Sequence, residues 1–196
     1  MKRKVRRRRL AALGSIAVLA GVLLGALIAG GAFDSALKEL TLPLRHEDVI
    51  RQQADEKGVD AALIAAVIYS ESKFSDQTSS AGARGLMQIT PEAADYIEKQ
   101  SGGTTFKLSD LSDPELNIRY GTFLLRELLD RYEGDEAAAL AAYNAGPGNA
   151  DEWGGADLTV EEIPFPETRA YVEEVLEKRD EYRPEYASEL GYARLP

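Results

Sequence analysis

The sequence predicts an all-α domain entered from one amino-terminal apolar helix. Three observations carry that prediction. Capping residues stand immediately before helix-length stretches of apolar residues, no alternating apolar and polar run is long enough for a sheet, and a long uncharged segment follows a basic amino terminus.

Residues 1–9 hold seven Lys and Arg and no acidic residue. Residues 10–33, LAALGSIAVLAGVLLGALIAGGAF, carry no charge and as a helix would cross the ~30 Å hydrocarbon core of a bilayer. They read as a transmembrane anchor or a signal peptide. A secretory apolar core usually has about 7 to 15 residues, so the length favours a retained anchor, although Gly30 and Ala32 offer a small-residue cleavage pattern. The basic run holds the start of the chain in the cytoplasm by the positive-inside rule and sends everything after Phe33 across the membrane. The expected location is therefore the cell membrane, single-pass, with secretion after cleavage as the alternative. Residues 34–45 form a short connector, spanning at most roughly 40 Å when fully extended.

Helical signals then follow one another through residues 46–182. The HED stretch at His46 opens a polar helix. Asp60 caps AALIAAVIYSES, Thr90 precedes Pro91 and Glu92, and Asp113 with Pro114 repeats that arrangement. In the helix behind Asp113, Leu116, Tyr120, Phe123, Leu124 and Leu128 predict one buried face, with Gly134 as the terminator. Asp135 begins EAAALAAYNAG, which stops at Gly146 and Pro147, and a last long helix starts behind Pro166. Residues 73–89 and 146–166 are the expected functional loops, with GPGN and WGG read as turns because they lack phosphate-loop spacing. Residues 183–196 are left as a carboxy-terminal tail.

Composition narrows the chemistry. The chain has 23 Lys and Arg against 33 Asp and Glu; removing the basic amino terminus leaves 16 against 33, a formal charge of -17. So acidic a body does not suit nucleic acid, whose phosphates need clustered cations. With no cysteine there is no disulfide, thiolate nucleophile or Cys-ligated zinc, and the single histidine, His46, cannot build the usual His-rich metal site. His46 itself reads as a solvated or capping residue. Carboxylates, hydroxyls, amides and aromatic rings remain, and neither metal nor organic cofactor is expected.

One carboxylate stands out. Leu63, Val67 and Glu71 lie at i, i+4 and i+8, so Glu71 continues a row of apolar side chains toward the core or a cleft. It also sits near the helix carboxy terminus, where the macrodipole disfavours ionisation, as burial does. Both raise a carboxyl pKa toward what a general acid needs near neutral pH.

Five segments recur in a fixed order: ES at 71–72, SSAGARGLMQIT at 79–90, NIRYGTFLL at 117–125, AYNAG at 142–146 and ETRAYV at 167–172. Together they resemble the catalytic domain of the soluble lytic transglycosylases, glycoside hydrolase family 23, related in fold to goose-type lysozyme. The resemblance covers about residues 46–182. It implies a lysozyme-like helical fold, bacterial peptidoglycan glycan strands as substrate, and cleavage of the β-1,4 bond between N-acetylmuramic acid and N-acetylglucosamine without water. Glu71 would protonate the leaving oxygen and then, as carboxylate, take the proton of the muramic acid C6 hydroxyl as a 1,6-anhydro ring closes. The usual glycosidase plan uses two carboxylates; the resemblance assigns stabilisation to the substrate's own N-acetyl group instead.

The same resemblance makes Gln88 the amide that meets the sugar, with Met87 beside it in the substrate-binding segment and packing with Leu86 beneath. Tyr143 and Asn144 face Glu71, the phenol holding the carboxyl and the amide binding substrate. Tyr171 belongs to the glycan groove, and Arg169 is expected in an ion pair. Family members place a loop serine nine residues after the catalytic Glu and nine before the Gln. Ser79 keeps the second spacing but lies eight after Glu71, so Ser79 is the choice for the hydroxyl near the N-acetyl group, with Ser80 as understudy. A hydrolytic muramidase and a non-catalytic wall-binding module are the alternative functions, and wall-synthesis machinery is left open as a partner.

Overall fold

The computed structural model describes residues 36–102 and 106–192, together with Gly25, Gly30, Gly31 and Phe33. The basic segment and nearly all of the apolar run at 10–33 therefore lie outside the described residues. The chain divides into two units, residues 1–43 and 44–196. In the first, residues 36–41 are helical, Thr41 Oγ1 donating to the Leu37 carbonyl at 2.9 Å, so part of the connector is a helical turn. Among the described residues no helix is long and apolar enough to cross a membrane.

The second unit is all-α: α1 (Glu47–Lys57), α2 (Ala61–Ser72), α3 (Pro91–Ser101), α4 (Pro114–Arg131), α5 (Glu136–Ala145), α6 (Pro147–Trp153) and α7 (Pro166–Glu185), with short 3-10 turns between. Extended pairing among the described residues is limited to isolated bridges, Thr78 with Arg84 and Arg84 with Ile89.

Four helices start where the sequence places a capping side chain. Asp60 accepts from the Ala62 amide at 2.9 Å, Thr90 from Ala93 at 3.1 Å, Asp113 from Leu116 at 2.8 Å and Asp135 from Ala138 at 2.8 Å. Each satisfies an amide that the first turn leaves unpaired, worth about 1 kcal/mol. His46 occupies the capping position of α1 in the left-handed region, φ 57°, without a side-chain cap bond.

Helix α2 is the centre of the core. Every residue from Ala61 to Ile68 is buried, as expected of a helix apolar on all sides, and its most extensive packing is against α7. The alanine-rich α5 packs against α4, α6 and α7, small side chains permitting close approach.

Three expectations need correction. The buried face of α4 is Asn117, Ile118, Gly121, Thr122, Leu125, Leu128 and Leu129; of the five predicted positions only Leu128 is buried. Asn117 and Gly121 on that face look like solvent positions in a pattern, but they meet the loop that carries Met87. GPGN is not a turn: Pro147 and Gly148 open α6, proline fitting the first helical position. Residues 183–192 of the expected tail pack as part of the domain. Helix α7 runs to Glu185, Tyr186 and Leu190 are buried, and the Tyr192 hydroxyl accepts from the Ala62 amide at 2.9 Å and also bonds the Asp60 carboxylate, which Arg183 pairs as well.

Candidate active site

Glu71 is the penultimate residue of α2, and the chain leaves that helix through two consecutive left-handed residues, Lys73 (φ 52°) and Phe74 (φ 60°). Such a conformation costs a non-glycine residue roughly 1–2 kcal/mol. Burial of Phe74, its ring 6.2 Å from Tyr182, and the 2.8 Å ion pair of Lys73 with Glu174 offset it. The sharp exit leaves the Glu71 carboxyl at the end of the row Leu63, Val67, Glu71, the first two of which are fully buried. Burial pushes the Glu71 carboxyl up to about 7, against a smaller opposing effect of the Tyr171 phenol.

Two tyrosines share this environment. The Tyr143 hydroxyl, from the end of α5, donates to the Met87 carbonyl at 2.9 Å. The Tyr171 hydroxyl, from α7, is buried beside the Glu71 carboxyl; it stabilises the carboxylate, yet the contact falls short of ordinary hydrogen-bond geometry and no other partner takes its place among the described residues. Burial first, then the Glu71 charge, raises both phenols well above their ordinary range, so both stay protonated donors. The two rings thus divide the work differently from the sequence expectation: Tyr171 addresses the carboxyl, while Tyr143 ties down the opposite loop.

That loop is built around a buried amide. Asn117 accepts from the Met87 amide at 2.8 Å and donates to the carbonyls of Arg84 at 2.9 Å and Leu111 at 3.0 Å. Gly85 permits the approach: with φ 74°, a Cβ there would come within 2.5 Å of the Leu111 carbonyl oxygen. Gly121 does the same on α4, where a Cβ would meet Met87 Cβ at 2.7 Å. Met87 is consequently fully buried and offers no side-chain surface to a ligand, and Leu86 beside it is buried as well. Asn117, Gly85 and Gly121 are positioning residues that the sequence reading passed over. For Gly121, a glycine inside an amphipathic helix was the available signal.

Gln88 follows in the left-handed region, φ 47°. Its amide nitrogen donates to the carbonyls of Gly85 at 2.8 Å and Gln77 at 3.1 Å, while its oxygen accepts no donor among the described residues. Ser79 shapes the start of the loop, its Oγ accepting from the Ala83 amide at 3.1 Å; Ser80 is exposed. Asn144 Oδ1 accepts from Thr168 Oγ1 at 2.8 Å, linking α5 to α7, and the Asn144 amide hydrogens meet no described acceptor. Among the described residues Arg169 makes no ion pair: its guanidinium donates twice to the Ile163 carbonyl, at 2.6 and 3.1 Å, bracing the turn before α7.

Gln88, Tyr143 and Asn144 line one cleft of about 880 Å³ between α3, α4 and α5. Glu71, Ser79 and Tyr171 are not on that lining. Among the described residues no group of His, Cys, Asp and Glu is arranged to hold a metal ion. The arrangement can keep one carboxyl protonated near neutral pH, release its proton, and stabilise the resulting anion through a phenol.

Known proteins resemble this chain in sequence and in fold. Residues 48–165 match the family model of the transglycosylase SLT domain. The soluble lytic murein transglycosylase of Escherichia coli K12 is 35% identical over 167 residues, 81% of this chain and 26% of that one. Membrane-bound lytic murein transglycosylase F of Alcanivorax borkumensis is 33% identical over 79% of this chain and 32% of its own length. The crystal structure of the 70-kDa soluble lytic transglycosylase of Escherichia coli superposes with a TM-score of 0.72 at 32% identity, covering 86% of this chain and 28% of that one. The chain spans about a quarter to a third of the length of these relatives. Over the part they share, the match in sequence and in fold settles the classification: the chain belongs to the transglycosylase SLT-domain family.

Proposed function

We propose that the protein is a peptidoglycan lytic transglycosylase with Glu71 as its acid and base. The observation that carries this reading is a half-buried carboxyl raised to about 7 in a chain whose sequence and fold match lytic murein transglycosylases. Protonated Glu71 gives its proton to the glycosidic oxygen as the C1–O bond breaks. The carboxylate then takes the proton of the muramic acid C6 hydroxyl, whose oxygen bonds C1. The proton count on Glu71 is restored and no water is consumed. Burial and the Tyr171 phenol are the effects that set the Glu71 carboxyl among the described residues, in keeping with one carboxyl acting as acid and base in turn. Tyr171 stabilises the anion between the two proton transfers, Gln88 and Asn144 bind the glycan from the adjoining cleft, and Ser79 contacts the N-acetyl region.

The reading includes retention at the membrane through residues 10–33, with the catalytic unit on the far side. It is supported by the uncharged run itself and by Phe33 at its end with Leu37 and Leu40 just beyond, at i, i+4 and i+7, which are 68%, 49% and 82% exposed. The helical turn at residues 36–41 covers about 9 Å where extended chain would cover roughly 20 Å, so the connector is shorter than its length suggests.

Mass spectrometry of purified peptidoglycan digested with wild type and Glu71→Gln tests the assignment. The expected result is 1,6-anhydromuramic products from wild type and none from the variant. Reducing muramic ends alone would establish a hydrolase, and unchanged cleavage by the variant would remove Glu71 from the mechanism.

A further inference from the structure

The cleft that holds Gln88, Tyr143 and Asn144 extends well past them, between two helical faces that the reaction above does not use. On α3, Glu92, Ala93 and Tyr96 share one face; on α4, Leu124, Glu127, Leu128 and Arg131 share another, at i, i+3, i+4 and i+7. Both faces line the same cavity, and its volume of about 880 Å³ is large for one sugar residue, lying near the top of the range of roughly 300–1,000 Å³ found for ligand sites. The buried side of α3 is Ala94 and Ile97, so its packing does not require an aromatic ring at position 96.

Tyr96 nevertheless presents a ring that is 42% exposed, and the ring is not loose: its hydroxyl lies 3.3 Å from Glu127 Oε2 on the facing helix. An exposed aromatic side chain already fixed by a polar contact loses little freedom when a ligand stacks on it. Its face suits the C–H face of a pyranose ring, and the rest of the Glu127 carboxylate can accept from sugar hydroxyls in charge-assisted bonds. The charge of the cleft selects the occupant. Arg131 is neutralised by Asp151 at 2.5 Å and Asp130 by Arg126 at 2.5 Å, whereas Glu92 and Glu127 have no described cation partner. A carboxylate-bearing peptide would meet uncompensated negative charge there; a neutral sugar would not.

We infer that Tyr96, backed by Glu127, is the stacking platform of a second glycan subsite, taking an uncharged N-acetylhexosamine ring of the strand whose neighbouring sugars lie at Gln88, Tyr143 and Asn144. The inference rests on the reading of the protein as a glycan-cleaving enzyme, but it is tested by binding and not by cleavage. Chitotetraose, a neutral N-acetylglucosamine oligomer, is titrated by NMR into the full chain carrying Glu71→Gln, and into the same chain with Tyr96→Ala, Tyr96→Leu, Tyr96→Phe or Glu127→Gln.

Tyr96→Ala and Tyr96→Leu should each weaken binding roughly threefold to tenfold, while Tyr96→Phe should stay within about twofold. Glu127→Gln should weaken it by a smaller factor. Melting temperatures should be unchanged, because position 96 is outside the core. Wild-type affinity in Tyr96→Ala, or in Tyr96→Leu, would overturn the platform. Unchanged peptidoglycan cleavage by Glu71→Gln alone would instead fault the assignment of Glu71 and leave the binding result standing.

Discussion

Replacing Glu71 with Gln should stabilise the protein, and by an amount that depends on pH in a defined direction. The carboxyl is raised from 4.5 to about 7 by burial. At about 1.36 kcal/mol per pH unit, that is about 3 kcal/mol of preference for the protonated form in the folded state. Below pH 4.5 the group is protonated in both folded and unfolded chains and contributes no difference. Between 4.5 and about 7 the folded state binds more protons than the unfolded, so stability falls as pH rises. Above about 7 the full cost of burying the anion is present. A glutamine keeps the shape and the hydrogen-bonding capacity toward Tyr171 without the charge. The variant should match wild type at pH 4 and exceed it by about 3 kcal/mol at pH 8, a melting-temperature gain of about 6–12 °C for a domain of this size. Scanning calorimetry of both proteins across that range measures it. A gain independent of pH, or a variant less stable at pH 8, would refute the argument that burial sets the Glu71 pKa.

Further outcomes follow from the same contacts. Tyr171→Phe removes the group that favours the Glu71 carboxylate, so the carboxyl should titrate still higher by 13C NMR, with a stability change within about 1 kcal/mol because the hydroxyl closes no good hydrogen bond; a downward titration would contradict this. Asn117→Ala leaves the buried Met87 amide unpaired and should cost about 2–4 kcal/mol in urea unfolding, while a loss below about 1 kcal/mol would mean that water or a shifted loop replaces the amide. Gly121→Ala should destabilise by about 1–2 kcal/mol and slow glycan cleavage, since the clash with Met87 outweighs the gain of up to about 1 kcal/mol in helix propensity; a stabilised variant would show that Met87 has room to move. Glycan cleavage by wild type should decline as pH rises through about 7, where the acid form of Glu71 is lost, and a rate still climbing at pH 8 would exclude it as the acid.

Much of the scaffold was legible because its signals are local. Asp60, Thr90, Asp113 and Asp135 each act on an amide two or three residues away, and a proline at the first helical position needs no tertiary contact to be favourable. The position of Glu71 was legible for the same reason, since a helix fixes which residues share its face. What escaped depends on distant partners. Asn117 and Gly121 read as polar and breaking residues on α4, but the groups that make them interior, Met87, Arg84 and Leu111, come from outside that helix. The contacts of Tyr143 and Tyr171 are of this kind as well, as each phenol is matched to its neighbour only once α5 and α7 are packed. Arg169 invited an ion pair from its charge, yet a carbonyl six residues back was nearer.

Gln88 is usually thought of as two-faced, a side chain able to give hydrogens or receive them. Here the fold has spent the giving half on Gly85 and Gln77, and only the oxygen is left for a visitor. The residue therefore acts as a one-way gate in polarity: a hydroxyl or amide hydrogen brought to it is welcomed, whereas an ether or carbonyl oxygen meets like facing like. Under the proposed reading, a fixed acceptor of this sort would let the protein tell apart the two ends of a glycan strand, which displays its donors asymmetrically along its length.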